Sequence, residues 1–147
     1  MSAKPEIRHA GLIAQRVGGF WTGALITGPS GSGKSDLALR ALTQGFRLVA
    51  DDRVILFVSG SRLWGRAPAP LSGLLEHRGL DVLPVPSLGS ARVALWVRCE
   101  KPGEVIDRLP DRQAESLLGI RIPALGLNPF EDSAPAKISR AIRHLGV

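Results

Sequence analysis

The chain has one cysteine, one methionine and no tyrosine, and aromatic residues make up only 5% of its 147 positions. A lone thiol, Cys99, excludes an internal disulfide, and it has no Cys or His neighbours at the spacing of a zinc module. It reads as a small buried hydrophobe at a strand end. No uninterrupted apolar stretch reaches the ~18 residues of a membrane span, and Met1-Ser-Ala-Lys-Pro-Glu-Ile-Arg8 carries no apolar run fit for secretion. A soluble, cytoplasmic protein with no membrane partner is the expectation. Nor is there a low-complexity tract that would fail to offset its ordering entropy. The formal charge of +6 suits an anionic partner. However, the Lys and Arg residues are scattered, and with so few aromatics no stacking platform for single strands is evident, so nucleic acid is not expected as a partner.

With 44% hydrophobic and 22% charged residues, the composition is that of a globular protein, and residues 1–147 are expected to form a single domain. Ile7 to Gln15 and Phe20 to Thr27 read as strands around the turn-prone Gly18-Gly19 pair. Lys34 to Gln44 places Leu37, Ala38, Ala41 and Leu42 on one helix face, with Gly45 where a helix stops. Phe46 to Ala50 is a short apolar strand, and Val54 to Val58 continues as another after an Asp52-Arg53 corner. A short strand is expected around Leu63-Trp64, a short helix over Pro70 to His77, and a strand over Arg92 to Arg98. A weaker strand spans Ile120 to Leu127, interrupted by Pro123. A closing helix runs from about Ala134 to Leu145, with Ser133 as its N-cap and Arg140, Arg143 and His144 near its end. Trp21, Trp64 and Trp96 read as packing residues rather than base-stacking ones.

Gly28-Pro29-Ser30-Gly31-Ser32-Gly33-Lys34-Ser35 satisfies G-x-x-x-x-G-K-[ST] and lies between an expected strand and an expected helix. Glycines at these positions let backbone N–H groups turn inward around phosphate oxygens, and the helix N-terminus adds partial positive charge. Lys34 then reaches the outer phosphates, and Ser35 supplies a hydroxyl to Mg²⁺. Nucleotide binding follows, with Mg²⁺ expected beside it.

Asp51-Asp52 ends a strand that begins directly after the phosphate-loop helix. In a parallel sheet with a right-handed crossover, that strand emerges at the same edge as the loop. One carboxylate can orient the metal or its waters, and the other can accept a proton from an attacking hydroxyl. The sequence does not decide which aspartate is the base, because successive strand residues point to opposite faces yet the strand ends here.

Three ordered blocks resemble the catalytic domain of HPr kinase/phosphorylase: Gly-Pro-Ser-Gly-Ser-Gly-Lys-Ser, then Gly45-Phe-Arg-Leu-Val-Ala-Asp-Asp-Arg-Val54, then Pro70-Leu-Ser-Gly-Leu-Leu-Glu-His-Arg-Gly-Leu80. The resemblance covers roughly Arg8 to Leu127. It implies an α/β phosphate-loop core shared with phosphoenolpyruvate carboxykinases. It also implies ATP-dependent phosphorylation of a serine on the phosphocarrier protein HPr, a step in phosphotransferase system regulation, and in many members removal of that group by inorganic phosphate. Carried over by residue, Lys34 grips phosphates, Ser35 and Glu76 hold Mg²⁺, and Asp51-Asp52 contains the proton acceptor. His9 matches an upstream family histidine, Arg108 a family arginine that steadies the transferring phosphate, and Arg78 a residue that contacts phosphate or shapes its loop.

Departures from the family pattern bear on these implications. The family's N-terminal domain is missing, and the C-terminal part is shorter. Leu127-Asn-Pro-Phe-Glu-Asp stands where Pro-Gly-Arg-Asn is expected, which weakens the case for the phosphorylase reaction and leaves homo-oligomer formation open. Two other readings remain beside the HPr serine kinase: a phosphate-loop kinase of a small anionic metabolite, and a nucleotide-responsive regulatory module without catalysis.

Overall fold

The computed structural model describes residues 4–100 and 106–145. Along the chain lie β1 (Glu6–Arg8), β2 (Gly11–Val17), β3 (Phe20–Thr27), α1 (Lys34–Leu42), β4 (Phe46–Ala50), β5 (Val54–Ser59), β6 (Arg62–Arg66) and a 3-10 turn (Ala69–Leu71). β7 (Leu74–His77), β8 (Asp81–Pro84), β9 (Ala91–Cys99), β10 (Gln113–Leu117), β11 (Ile120–Leu127) and α2 (Ala134–Leu145) follow. One sheet runs β1-β5-β6-β9-β3-β2-β4, and the β10–β11 hairpin joins it along β9. β9 therefore divides its outer edge: Ala91 and Arg92 pair with β6, while Trp96 to Cys99 pair in parallel with Ala124 to Leu127 of β11.

The central strands read as unbroken apolar runs because both faces of the sheet are covered. On one face α1 and α2 pack over Ile13, Ile26, Leu95 and Val97. On the other, Leu12, Leu25, Leu56 and Leu63 form a second core. Buried Gln15 ties α2 to the first layer: its Oε1 accepts from Ser139 Oγ at 2.7 Å and Arg143 Nη1 at 2.6 Å, and its Nε2 donates to the Gln44 carbonyl at 3.2 Å. Both its oxygen and its nitrogen are hydrogen-bonded, so neither atom is buried without a partner.

Two bulges set which side chains meet which layer. In β9, Gly23 pairs with Val93 but Ala24 with Leu95, so Ala94 is an extra residue. Val93 consequently joins the second core and Leu95 the helical one. In β4, Leu12 pairs with Ala50 but Ile13 with Leu48, making Val49 the extra residue just before Asp51.

The sheet departs from the expected parallel arrangement. β2 lies antiparallel between β3 and β4, which makes β3 and β4 parallel without being neighbours. Gly18 and Gly19, at φ 57° and 84°, close the β2–β3 hairpin with a two-residue loop that needs left-handed backbone at both positions. The expected single strand over Ile7 to Gln15 is split at His9-Ala10, since β1 pairs with β5 and β2 with β3 and β4.

Pro70 to His77 is not a helix. Pro68 and Pro70 allow one 3-10 turn, Gly73 at φ 73° ends it, and Leu74 to His77 pairs with Asp81 to Pro84 as a separate hairpin. Pro123 does not interrupt β11, because it precedes Ala124, where pairing with β9 begins. Ser133 takes the N-cap position of α2, its carbonyl accepting from Lys137 N–H at 2.8 Å. Trp21 and Trp96 pack against the second core, as expected, with Arg47 over Trp21 at 5.0 Å and Arg8 over Trp96 at 5.2 Å. Among the described residues no helix is long and apolar enough to cross a membrane.

Two outcomes test this packing. An added Cβ at Gly23 would lie 2.6 Å from the Arg92 carbonyl oxygen, whereas one at Gly89 would meet nothing within 4 Å. In urea melts, Gly23→Ala should lose roughly 1–3 kcal/mol and Gly89→Ala under about 0.5. Burial pushes the Cys99 thiol up to about 11, so iodoacetamide should leave it unmodified in the native protein near pH 8 and alkylate it once denatured, as read by mass spectrometry.

Candidate active site

Strand direction delivers the polar residues to one edge of the sheet. The phosphate loop follows β3, Asp51-Asp52 follows β4, and Asn128 to Phe130 follows β11, all at the C-terminal ends of mutually parallel strands. His9 reaches the same edge from the start of antiparallel β2. Ala10 N–H donates to the Asp52 carbonyl at 3.1 Å, which holds the two segments together. Asp51 and the phosphate loop therefore meet at one edge as expected, though with β2 rather than a direct parallel pairing between their strands.

The loop from Gly28 to Ser35 is built for close approach of its backbone to a ligand. Gly31 and Gly33 adopt φ 78° and 93°, which turns successive N–H groups toward one side. Leu37 N–H donates to the Gly33 carbonyl at 2.9 Å, the first such bond of α1, so the N–H groups of Lys34, Ser35 and Asp36 have no acceptor inside the helix. Lys34 Nζ donates to the loop's own Gly28 and Pro29 carbonyls at 2.7 and 3.0 Å. The buried Ser32 hydroxyl has no partner among the described residues. Free N–H groups at a helix start and an ammonium held over the loop form a donor set for phosphate oxygens, and the residues fit a nucleotide.

The acids divide into a locked one and an open one. Asp51 Oδ1 accepts from Ser35 Oγ at 2.7 Å and its Oδ2 from Glu76 N–H at 3.0 Å, so a single carboxylate joins α1, the end of β4 and β7. Asp52 turns the other way, through a left-handed backbone at φ 68° that Asp tolerates better than most side chains. Its side chain is 58% exposed and its Oδ1 accepts from His9 Nε2 at 2.7 Å.

A cleft of about 270 Å³ joins His9, Asp52 and Glu76 on one flank to Ser30, Gly31 and the residues from Gly33 to Asp36 below and Phe130 on the other. Arg78, in the turn of the β7–β8 hairpin, completes the lining. Arg108 is not brought to this cleft. It is exposed in the segment between β9 and β10, whose neighbouring residues line a different hollow of about 410 Å³. The arginines of that hollow are paired with its own rim and neighbours, Arg98 with Glu115 and Gln113 and Arg112 with His144. No group of three or more metal-ligating side chains is present among the described residues. A divalent ion at Ser35, Asp51 and Glu76 would thus depend on phosphate oxygens for much of its coordination.

Sequence reasoning did not single out Phe130. Its ring lies 3.1 and 3.2 Å from the position a Cβ would take on Gly33, and it is 53% exposed. The available signal was an aromatic residue just past the last strand of a sheet whose phosphate loop lies at that edge.

Comparison with known proteins agrees with this arrangement. The sequence profile described as HPr Serine kinase C-terminal domain matches residues 3–128. The HPr kinase/phosphorylase of Streptococcus equinus is 40% identical over 117 residues, covering 72% of this chain and 38% of that protein. That of Clostridium tetani is 46% identical over 84 residues, covering 57% and 27%. The chain thus spans well under half the length of these curated relatives. A solved structure of the Hpr(Ser) kinase/phosphatase from Coxiella burnetii superposes with a TM-score of 0.80 at 26% identity, over 95% of this chain and 89% of that one. The mixed α/β fold is the one that structure shows. With its phosphate loop, paired aspartates and β7–β8 hairpin all inside the matched span, the chain belongs to the HPr serine kinase C-terminal domain family.

Proposed function

We propose that the chain transfers the terminal phosphoryl group of ATP to a serine hydroxyl of HPr, acting as a protein-serine kinase on one catalytic unit. The observation that carries this reading is the unequal treatment of Asp51 and Asp52 beside a complete phosphate loop. Nucleotide sensing alone needs the loop. It does not need a second, open carboxylate facing the loop's outer end.

Asp52 is assigned as the proton acceptor. It has one oxygen held by His9, it is open to solvent, and it projects into the cleft where a serine from another protein can enter. His9 fixes the carboxylate's orientation. Asp51 has both oxygens engaged and serves to position Ser35 and the β7 strand. Ser35, Asp51 and Glu76 would hold Mg²⁺, which when bound neutralises charge on the phosphate oxygens. Lys34 exchanges its loop carbonyls for the outer phosphate oxygens, and Arg78 offers a planar fork of donors from the hairpin turn. Arg108 would take part only if its segment moved or met the cleft of a second copy. The shared carboxykinase-like core and a cytoplasmic setting are the remaining parts of this reading.

Purified HPr incubated with the protein, ATP and Mg²⁺ should gain a single phosphoserine by mass spectrometry, and the reading fails if ATP binds while HPr stays unmodified. Asp52→Asn should slow transfer by roughly 10²–10⁴-fold with ATP affinity retained. Asp51→Asn should instead raise the Mg²⁺ concentration needed for half-maximal rate, and Lys34→Ala should abolish ATP binding measured by calorimetry.

A further inference from the structure

Among the described large apolar side chains that are exposed, Phe130 alone lines the cleft of the phosphate loop. The sheet order fixes its side. β2 and β4, which bring His9 and the aspartates, flank β3 on one side, while β9 and β11, which bring Phe130, flank it on the other. The terminal phosphate must lie toward Asp52 and Glu76 if a proton is to be accepted there. The nucleoside end then leaves across Gly33 and Asp36, on the flank where Phe130 stands.

The backbone that carries the ring is also held in place. Phe130 N–H donates to Asn128 Oδ1 at 3.0 Å. Arg40 of α1 donates to the Pro129 carbonyl and, at 3.2 Å, to the Glu131 carbonyl, while its Nε bonds Asp36 at 3.0 Å. The guanidinium thus fastens the segment carrying the ring to the same helix whose N-terminus holds the phosphates, so little ordering is left to be done on binding.

We propose that Phe130 is the stacking platform for the nucleobase, a role that rests on the nucleotide reading above. A stacked ring reads the π-face common to all bases and makes no hydrogen-bonded distinction among them. It contributes affinity for the nucleoside part of the ligand and none for its phosphates.

Isothermal calorimetry of the whole chain with Mg·ATP and with Mg·tripolyphosphate separates the two parts. Phe130→Ala should weaken ATP about tenfold and leave tripolyphosphate within about twofold, while Phe130→Trp should keep ATP binding at or above the parent level. Equal weakening of both ligands would mean that the ring shapes the loop and not the base site, and unchanged affinity for both would mean that the base lies elsewhere. Either result overturns the assignment. Failure of the unsubstituted chain to bind ATP would instead bring down the nucleotide reading itself.

Discussion

The Asp51 carboxylate is the junction through which the site is assembled. Its two oxygens accept from Ser35 on the phosphate-loop helix and from the backbone of Glu76 on a hairpin outside the main sheet. Each bond alone is an ordinary one, worth on the order of 1–3 kcal/mol when a charged acceptor is involved. Their joint effect is geometric, because three segments far apart in sequence are referred to one rigid group. The last strand pair before it, β2 with β4, anchors that group to the buried sheet. Asp52 inherits its position from this anchoring, and with it the freedom to leave its oxygens in the cleft.

A second junction, at Arg40, works on the opposite flank. One guanidinium serves an acid on its own helix turn and two carbonyls after β11, a use of the planar fork that lysine could not reproduce. The phosphate loop is therefore braced from both sides, by the Asp51 carboxylate toward Asp52 and His9 and by a guanidinium toward Phe130. Neither brace touches the loop glycines, whose left-handed backbone stays available for phosphate.

Much of the site was legible in the sequence because its chemistry is local. The loop motif, the amphipathic pattern of α1 and the short apolar strand ending in two acids each lie within a dozen residues, and their relative placement follows from chain direction. The antiparallel insertion of β2 was not legible, since a strand buried on both faces shows no alternation that would reveal its partners. The helix expected over Pro70 to His77 does not form because the prolines and Gly73 that forbid it act through backbone torsion, which a hydrophobic pattern does not register. The unequal roles of Asp51 and Asp52 depend on a left-handed torsion at one residue, which no side-chain pattern encodes.

The extra residue in β4 has a bearing on how this chain can change. Side chains along a strand alternate in a fixed phase, and a bulge resets that phase by one step. Val49 supplies the reset immediately ahead of the acidic pair, so the strand acts as a metering device whose residue count decides which residue follows its buried end beside Ser35 and Glu76. Gain of one residue between Phe46 and Ala50 would put Ala50 in the place of Asp51, and loss of one would put Asp52 there with Arg53 in the place of Asp52. The segment is consequently constrained in count as well as in composition, although its outer edge faces only the short stretch around Ser87.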